Sequence, residues 1–538
     1  MNVEQGWHCR KRRPDNATKI KLYEGEGNMI RRVKTENGWV RGIEAADPRI
    51  TAFKGIPFAA PPVGENRWRA PQPCADWEGE LDACRFAPIS MQDTPGLGTD
   101  IYCREWHVDP EIPMGEDCLY LNVWTNAKSA DEKLPVLVWY YGGGLQWGYP
   151  AEMEFDGERL ARRGIVVVTV NYRINIFGFM AHPQISKEQP DAPTNFGSLD
   201  QQAGLKWVKR NIAAFGGDPD NITIAGQSAG GGSVMSQMAC PANKGLFQKA
   251  VVMSAMIRSP YGGHGIGAPI TLAEAEQRGV KLFEMMGVST LEEARKLDAK
   301  FVLEIYNKFA GDGGFANRFM GAQDNIFNVG DPMKLIVEGN CADVQIMAGC
   351  TGGEFPSMIP AKSREEFEQK VKEIFGDKAE EFLALPEANA CENDMFYAKV
   401  NGIDCTVKGI LGAVKERGSS KNHYCYKFDP DIPGWDNPGT FHSVDLWFFF
   451  ETLAKCWRPF VGRHYDLSRQ MCNYWANFIK TGDPNGEDAD GTPMPKWEPY
   501  TNEAPCEMVF TGDGPVADFS KASKFEQMAT DVVMKGFK

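Results

Sequence analysis

A serine stands between two glycines in "NITIAGQSAGGGS" (221–233), where a run of alternating β-branched residues gives way to small ones. A strand that turns sharply into a helix has no room for side chains on either side of the turn, and Gly226 and Gly230 flank Ser228 in that way. The hydroxyl of Ser228 is then left at the apex, at a helix N-terminus whose N–H groups face developing negative charge. The plainer alternative is a serine that only caps the helix. A hydroxyl attacks a carbonyl once a base takes its proton and an acid orients that base. Seven histidines make the search for the base short. His8 lies in a polar segment, His107 and His264 among prolines and glycines, His182 before a proline, His423 at the start of a strand and His464 on a helical stretch. His442, in "NPGTFHSVDLWFFF", follows a turn-rich loop and precedes an apolar helix, which makes it the candidate base. Glu354, beyond the glycine-rich turn of "DVQIMAGCTGGEFPS", is the candidate acid. Acyl transfer also needs donors for an oxyanion, and "WYYGGGLQWG" supplies Gly143 and Gly144, which join the N–H of Ala229 in a three-donor hole.

These groups are far apart in sequence, so the elements between them must bring them together. Short apolar runs at 135–141, 164–172, 221–226, 249–255, 343–349 and 422–429 are continuous rather than alternating, as strands covered on both faces are. The stretch 199–217 has helical spacing at Ala203, Leu205, Val208 and Ile212 and ends on a glycine pair. Strands alternating with helices predict an α/β fold with a mostly parallel central sheet and helices on both faces. Reactive groups gather at the carboxyl ends of such strands. The order Ser, Glu, His along the chain is that of the α/β-hydrolases. One domain is expected over 35–538, with helical insertions near 256–340 and 361–420, behind an N-terminal extension of residues 1–34.

Composition sets the outer limits. With 43% hydrophobic and 24% charged residues in 538, the chain reads as a soluble globular protein. A net charge of -14 disfavours nucleic acid and anionic membranes as partners. No run of about 20 apolar residues predicts a membrane span, and the basic N-terminus lacks the apolar stretch of a secretory signal. The expected location is cytoplasmic. There the 14 cysteines are expected to be mostly free thiols, and the Asn16 and Asn221 sequons carry no meaning.

From about residue 35 to 535 the chain resembles the type-B carboxylesterase/lipase family, which includes the cholinesterases. The resemblance rests on "FKGIPFAAPPVGENRWRAPQP" (53–73), "GEDCLYLNVW" (115–124), the Gly-Gly-Gly run, "NYRINIFGF" (171–179), "FGGDPDNITIAGQSAGG" (215–231) and "YWANFIKTGDPNG" (474–486). It implies the triad Ser228, Glu354 and His442, and two structural ion pairs, Arg67 with Glu116 and Arg173 with Asp200. Three departures from the family pattern bear on function. Ser90 stands where secreted members have the cysteine that joins Cys118, so that bridge is expected to be absent. Gln227 replaces the glutamate usual before the nucleophile, which removes a negative charge and weakens the case for a cationic substrate. Tyr141 and Leu145 flank the glycines where histidine and an aromatic residue are common, and are expected to alter the pocket's shape.

The expected activity is serine carboxylic-ester hydrolysis of a small-molecule ester through an acyl-enzyme, with no metal or cofactor. An amidase or thioesterase built on the same triad and a non-catalytic, cholinesterase-like binding scaffold are the alternatives. Trp147, Phe355 and the stretch 446–453 are candidate pocket residues, although aromatics on a helix more often belong to a core.

Overall fold

The computed structural model describes residues 29–261, 269–359, 361–392 and 395–537. His8, His264, the Asn16 sequon and most of the 1–34 extension lie outside the described residues.

An eleven-stranded sheet organises the chain: β1 (Ile43–Glu44), β2 (Thr51–Pro57), β3 (Tyr120–Thr125), β4 (Leu134–Tyr140), β5 (Val166–Val170), β6 (Gly217–Gln227), β7 (Lys249–Met253), β8 (Gln345–Thr351), β9 (Tyr424–Phe428), β10 (Glu507–Thr511) and β11 (Gly514–Asp518). Their spatial order is β11-β10-β9-β8-β7-β6-β4-β5-β3-β2-β1. The seven from β10 to β5 in that order are mutually parallel, and the strands beyond them at both edges are antiparallel. All six apolar runs singled out in the sequence form strands, β4 to β9. The antiparallel edge strands were not foreseen.

Continuous apolarity has the expected cause. In β4, Val136, Val138 and Tyr140 enter one core cluster, whereas Leu137 and Trp139 enter another on the opposite face. The first cluster takes Leu205 and Val208 from helix α1 (Phe196–Asn211) and Val234 from α2 (Ala229–Ala239). The second takes Leu467, Met471 and Trp475 from α3 (Gly462–Thr481). A strand residue therefore meets a hydrophobic layer whichever way it points, so every position of β5 is buried. Helix α1 passes into a 3-10 turn at Ile212–Phe215 and stops at Gly216, whose φ of 80° is the left-handed cap that glycine favours. Both expected insertions are helical, with Leu272–Met286 and Ala299–Gly313 in the first and Arg364–Phe375 and Gly402–Glu416 in the second. Among the described residues no helix is long and apolar enough to cross a membrane.

The register places the site. Tyr140 pairs with Gly226, Gln227 with Met253, Met253 with Gly349, and Thr351 with Phe428. The carboxyl ends of β4, β6, β7, β8 and β9 therefore share one rim of the sheet. The loops holding the Gly-Gly-Gly run, Ser228, Glu354 and His442 all leave from that rim.

Candidate active site

Ser228 follows β6 directly and precedes α2. Its φ of 55° and ψ of -125° are a conformation that non-glycine residues avoid. The backbone is held there by the Ser228 N–H donating to the Met253 carbonyl at 2.9 Å and by the Gly232 N–H donating to the Ser228 carbonyl at 2.9 Å. Strain of this kind persists only where its surroundings enforce it. The flanking glycines are needed for the reason read from sequence. A Cβ at 226 would strike the backbone of Gly230, and a Cβ at 230 would strike the carbonyl of Tyr140.

Glu354 and His442 meet. The Nδ1 of His442 is hydrogen-bonded to the Glu354 Oε2. Both residues are buried, at 6% and 5% exposure, so Glu354 is not an exposed loop carboxylate. Its other oxygen, Oε1, accepts from the Thr351 N–H at 3.1 Å and the Thr351 hydroxyl at 3.0 Å. Burial alone would raise the Glu354 pKa. The charge and hydrogen bond of His442, with help from Ser254 and the Thr351 N–H, outweigh burial and hold it below the usual carboxylate range. A carboxylate only accepts, so it fixes the Nδ1–H tautomer and leaves Nε2 with a free lone pair. Among the described residues the hydrogen-bond partner of Nε2 is the Gln227 side-chain amide, at 3.3 Å, rather than the Ser228 hydroxyl.

Ser228 and His442 open on one cavity of about 1060 Å³, which Gly143, Gly144, Ala229 and Phe355 also line. Gly143 and Gly144 have positive φ, 100° and 63°. Gly143 is packed so closely that a Cβ there would strike the Trp147 carbonyl. Among the described residues the N–H groups of Gly143, Gly144 and Ala229 donate no hydrogen bond to a loop or turn carbonyl. Trp147 and Phe355 face the cavity, Phe355 with its ring 4.7 Å from that of His442. Of the 446–453 stretch, Leu446 reaches the cavity, while Trp447, Phe448, Phe449 and Phe450 are core. The apolar helix expected after His442 is a single turn, Leu446–Phe449. Among the described residues no group of three or more His, Cys, Asp or Glu side chains is arranged to hold a metal ion.

A profile of the carboxylesterase family matches residues 30–527. The chain belongs to that family. It is 30% identical over 517 residues to the para-nitrobenzyl esterase of Bacillus subtilis, covering 92% of this chain and 98% of the relative. It is 33% identical over 472 residues to the fumonisin B1 esterase of Sphingopyxis macrogoltabida, covering 84% and 82%. A solved structure of a thermophilic PNB esterase superposes with a TM-score of 0.74 at 29% identity, covering 93% of this chain and 99% of that one. This carboxylesterase has the α/β-hydrolase fold, and it is a carboxylic ester hydrolase whose substrates are small-molecule esters.

Other residues of the carboxylesterase find their places. Arg67 pairs with Glu116 through two nitrogens and also donates to the carbonyls of Ala294 and Leu297. Asp200 accepts from the Arg173 N–H at 3.0 Å and from its Nε and Nη2 at 2.7 Å each. Cys118 is a buried free thiol, pushed up to about 12 by burial, and the Ser90 hydroxyl donates instead to the Tyr172 carbonyl at 2.5 Å. Tyr141 corrects an expectation. It does not shape the pocket but is fully buried, stacked on Tyr172 at 4.2 Å with its hydroxyl donating to the Tyr172 carbonyl at 3.0 Å. The remaining described histidines serve locally: His182 and His464 accept backbone N–H groups at helix starts, His423 accepts the Ile346 N–H, and His107 pairs with Glu152.

Two residues near Glu354 and His442 were missed. Asp445, one turn beyond His442, is fully buried and accepts from the Tyr426 hydroxyl at 3.1 Å. Burial, then the charge of Glu354, push its carboxyl up to about 7. Asp445 is the residue before the short helix Leu446–Phe449, and no local pattern marks it as buried. The contact of Gln227 with His442 spans 215 residues, and no local pattern encodes it.

Proposed function

We propose that the carboxylesterase works by two-step acyl transfer on Ser228. His442 accepts the hydroxyl proton as the oxygen attacks the ester carbonyl, and Glu354 holds the imidazole in the Nδ1–H tautomer and balances its positive form. The oxyanion forms against the N–H groups of Gly143, Gly144 and Ala229. The alcohol leaves with the proton from His442, and water repeats the sequence on the acyl-enzyme without metal or cofactor. The machinery is assigned to one domain over 35–538, preceded by the 1–34 extension.

One observation carries this reading: a buried Glu354–His442 pair opens on the cavity into which a strained serine projects. The serine and imidazole are not hydrogen-bonded to each other, and such contacts commonly tighten only when substrate is bound. The relatives' names span para-nitrobenzyl and fumonisin esters, so ancestry alone does not choose the substrate. An ester with a bulky apolar arm suits the cavity's size and its Trp147, Phe355 and Leu446 lining. Ser228→Ala is expected to lower kcat on p-nitrophenyl butyrate by about 10⁶-fold. Retention of most of the activity would remove the nucleophile assignment.

A further inference from the structure

The lone pair that must receive the Ser228 proton is already occupied. Because Glu354 takes the proton on Nδ1, the neutral imidazole presents a bare acceptor at Nε2, and a group next to it must be a donor. The amide of Gln227 is that group, at 3.3 Å, on a side chain only 2% exposed. Gln227 is the last residue of β6, so the strand that aims Ser228 also aims this amide. Its carbonyl oxygen lies beside Gly142 at the start of the glycine turn.

We propose that Gln227 is a positioning residue that tethers the neutral imidazole of His442, a role that rests on the triad reading above. Toward the neutral imidazole the carboxamide donates through Nε2. A glutamate at 227 could only accept and would favour the imidazolium before any substrate arrives. A methionine would fill the same space and do neither.

Ionisable groups around the Glu354–His442 pair include Asp445 from the turn that carries His442, Tyr426 of β9, which donates to Asp445, Cys350 of β8, and Tyr102 of the Ile101–Glu105 helix, the last three of which sense the charge of Glu354. They are the same in wild type and in Gln227→Met, which adds no charge, so their titration cancels in that comparison.

The test is the acid limb of kcat/KM for p-nitrophenyl butyrate, from pH 5 to 9, in wild type, Gln227→Met and Gln227→Glu. Removing the donor costs the neutral imidazole its partner, so the limb in Gln227→Met is expected to move up by roughly half a pH unit, with kcat reduced about tenfold and KM nearly unchanged. Adding a buried negative charge is expected to move it further in Gln227→Glu, by about one unit or more. A limb that stays in place in Gln227→Met reduces Gln227 to a space-filler and overturns the proposal. So does a limb in Gln227→Glu that stays or moves down. Fluorophosphonate labelling of all three enzymes at Ser228 reports separately on the triad. Labelling with an unmoved limb sinks the tether alone, whereas no labelling of the active wild type sinks the triad reading itself.

Discussion

Replacing Glu354 by glutamine changes one oxygen to an NH₂ group, and the structure fixes which one. Oε1 is held by two donors from Thr351, its N–H at 3.1 Å and its hydroxyl at 3.0 Å. In Glu354→Gln the carboxamide oxygen must stay in that position, because an NH₂ there would face the Thr351 N–H, which can only donate. The NH₂ group is then turned toward His442 Nδ1. Facing a donor, Nδ1 becomes the acceptor and the imidazole carries its proton on Nε2, where it cannot receive one from Ser228. The equivalent change in other triads lowers kcat by about 10⁴-fold, which corresponds to about 5.5 kcal/mol of transition-state stabilisation. The same loss is expected here because Glu354 and His442 are both buried, so no water substitutes for the missing acceptor. Folding should be little affected, since the substitution keeps the shape and the Thr351 contacts. Initial rates of p-nitrophenyl butyrate hydrolysis at pH 8, alongside thermal unfolding, give both quantities. A kcat within tenfold of wild type in a folded variant would refute the tautomer reasoning.

Two further expectations concern buried charges. Asp200→Asn leaves the Arg173 guanidinium, 3% exposed, without its counter-charge, and a loss of about 3–5 kcal/mol in urea unfolding is expected; an unchanged midpoint would contradict it. Asp445, with its carboxyl raised from 3.8 to about 7 in the fold, contributes full stability below its unfolded value and loses it as pH rises through 7. Asp445→Asn does not titrate, so relative to wild type it should gain about 3 kcal/mol in unfolding free energy between pH 5 and pH 8, and an equal difference at the two pH values would rule the shift out.

The parts of this protein legible from sequence are those set by short-range rules. Six central strands were found because burial on both faces leaves continuous apolar runs, and the turn at Ser228 because close packing demands glycine at 226 and 230. The strand Thr51–Pro57, next to the edge strand Ile43–Glu44, was not found. Its sequence TAFKGIP mixes lysine, glycine and proline, which an antiparallel strand with an irregular register tolerates. Tyr141 was misplaced although strand parity was available: it follows Leu137 and Trp139 onto their face of the sheet and joins their core cluster. The Gln227 contact and the burial of Asp445 depend on how separate loops stack over the sheet, and only the folded chain contains that information.

The most direct measurement is the site of the covalent intermediate. The protein is mixed with an ester or a fluorophosphonate, quenched in acid, digested and mapped by mass spectrometry. The expected result is a single acyl or phosphonyl group on Ser228, formed rapidly in the wild type and severely slowed in His442→Ala. Ester turnover with the modification on another residue, or with none trapped under conditions where acyl-enzyme hydrolysis limits the rate, would contradict the mechanism.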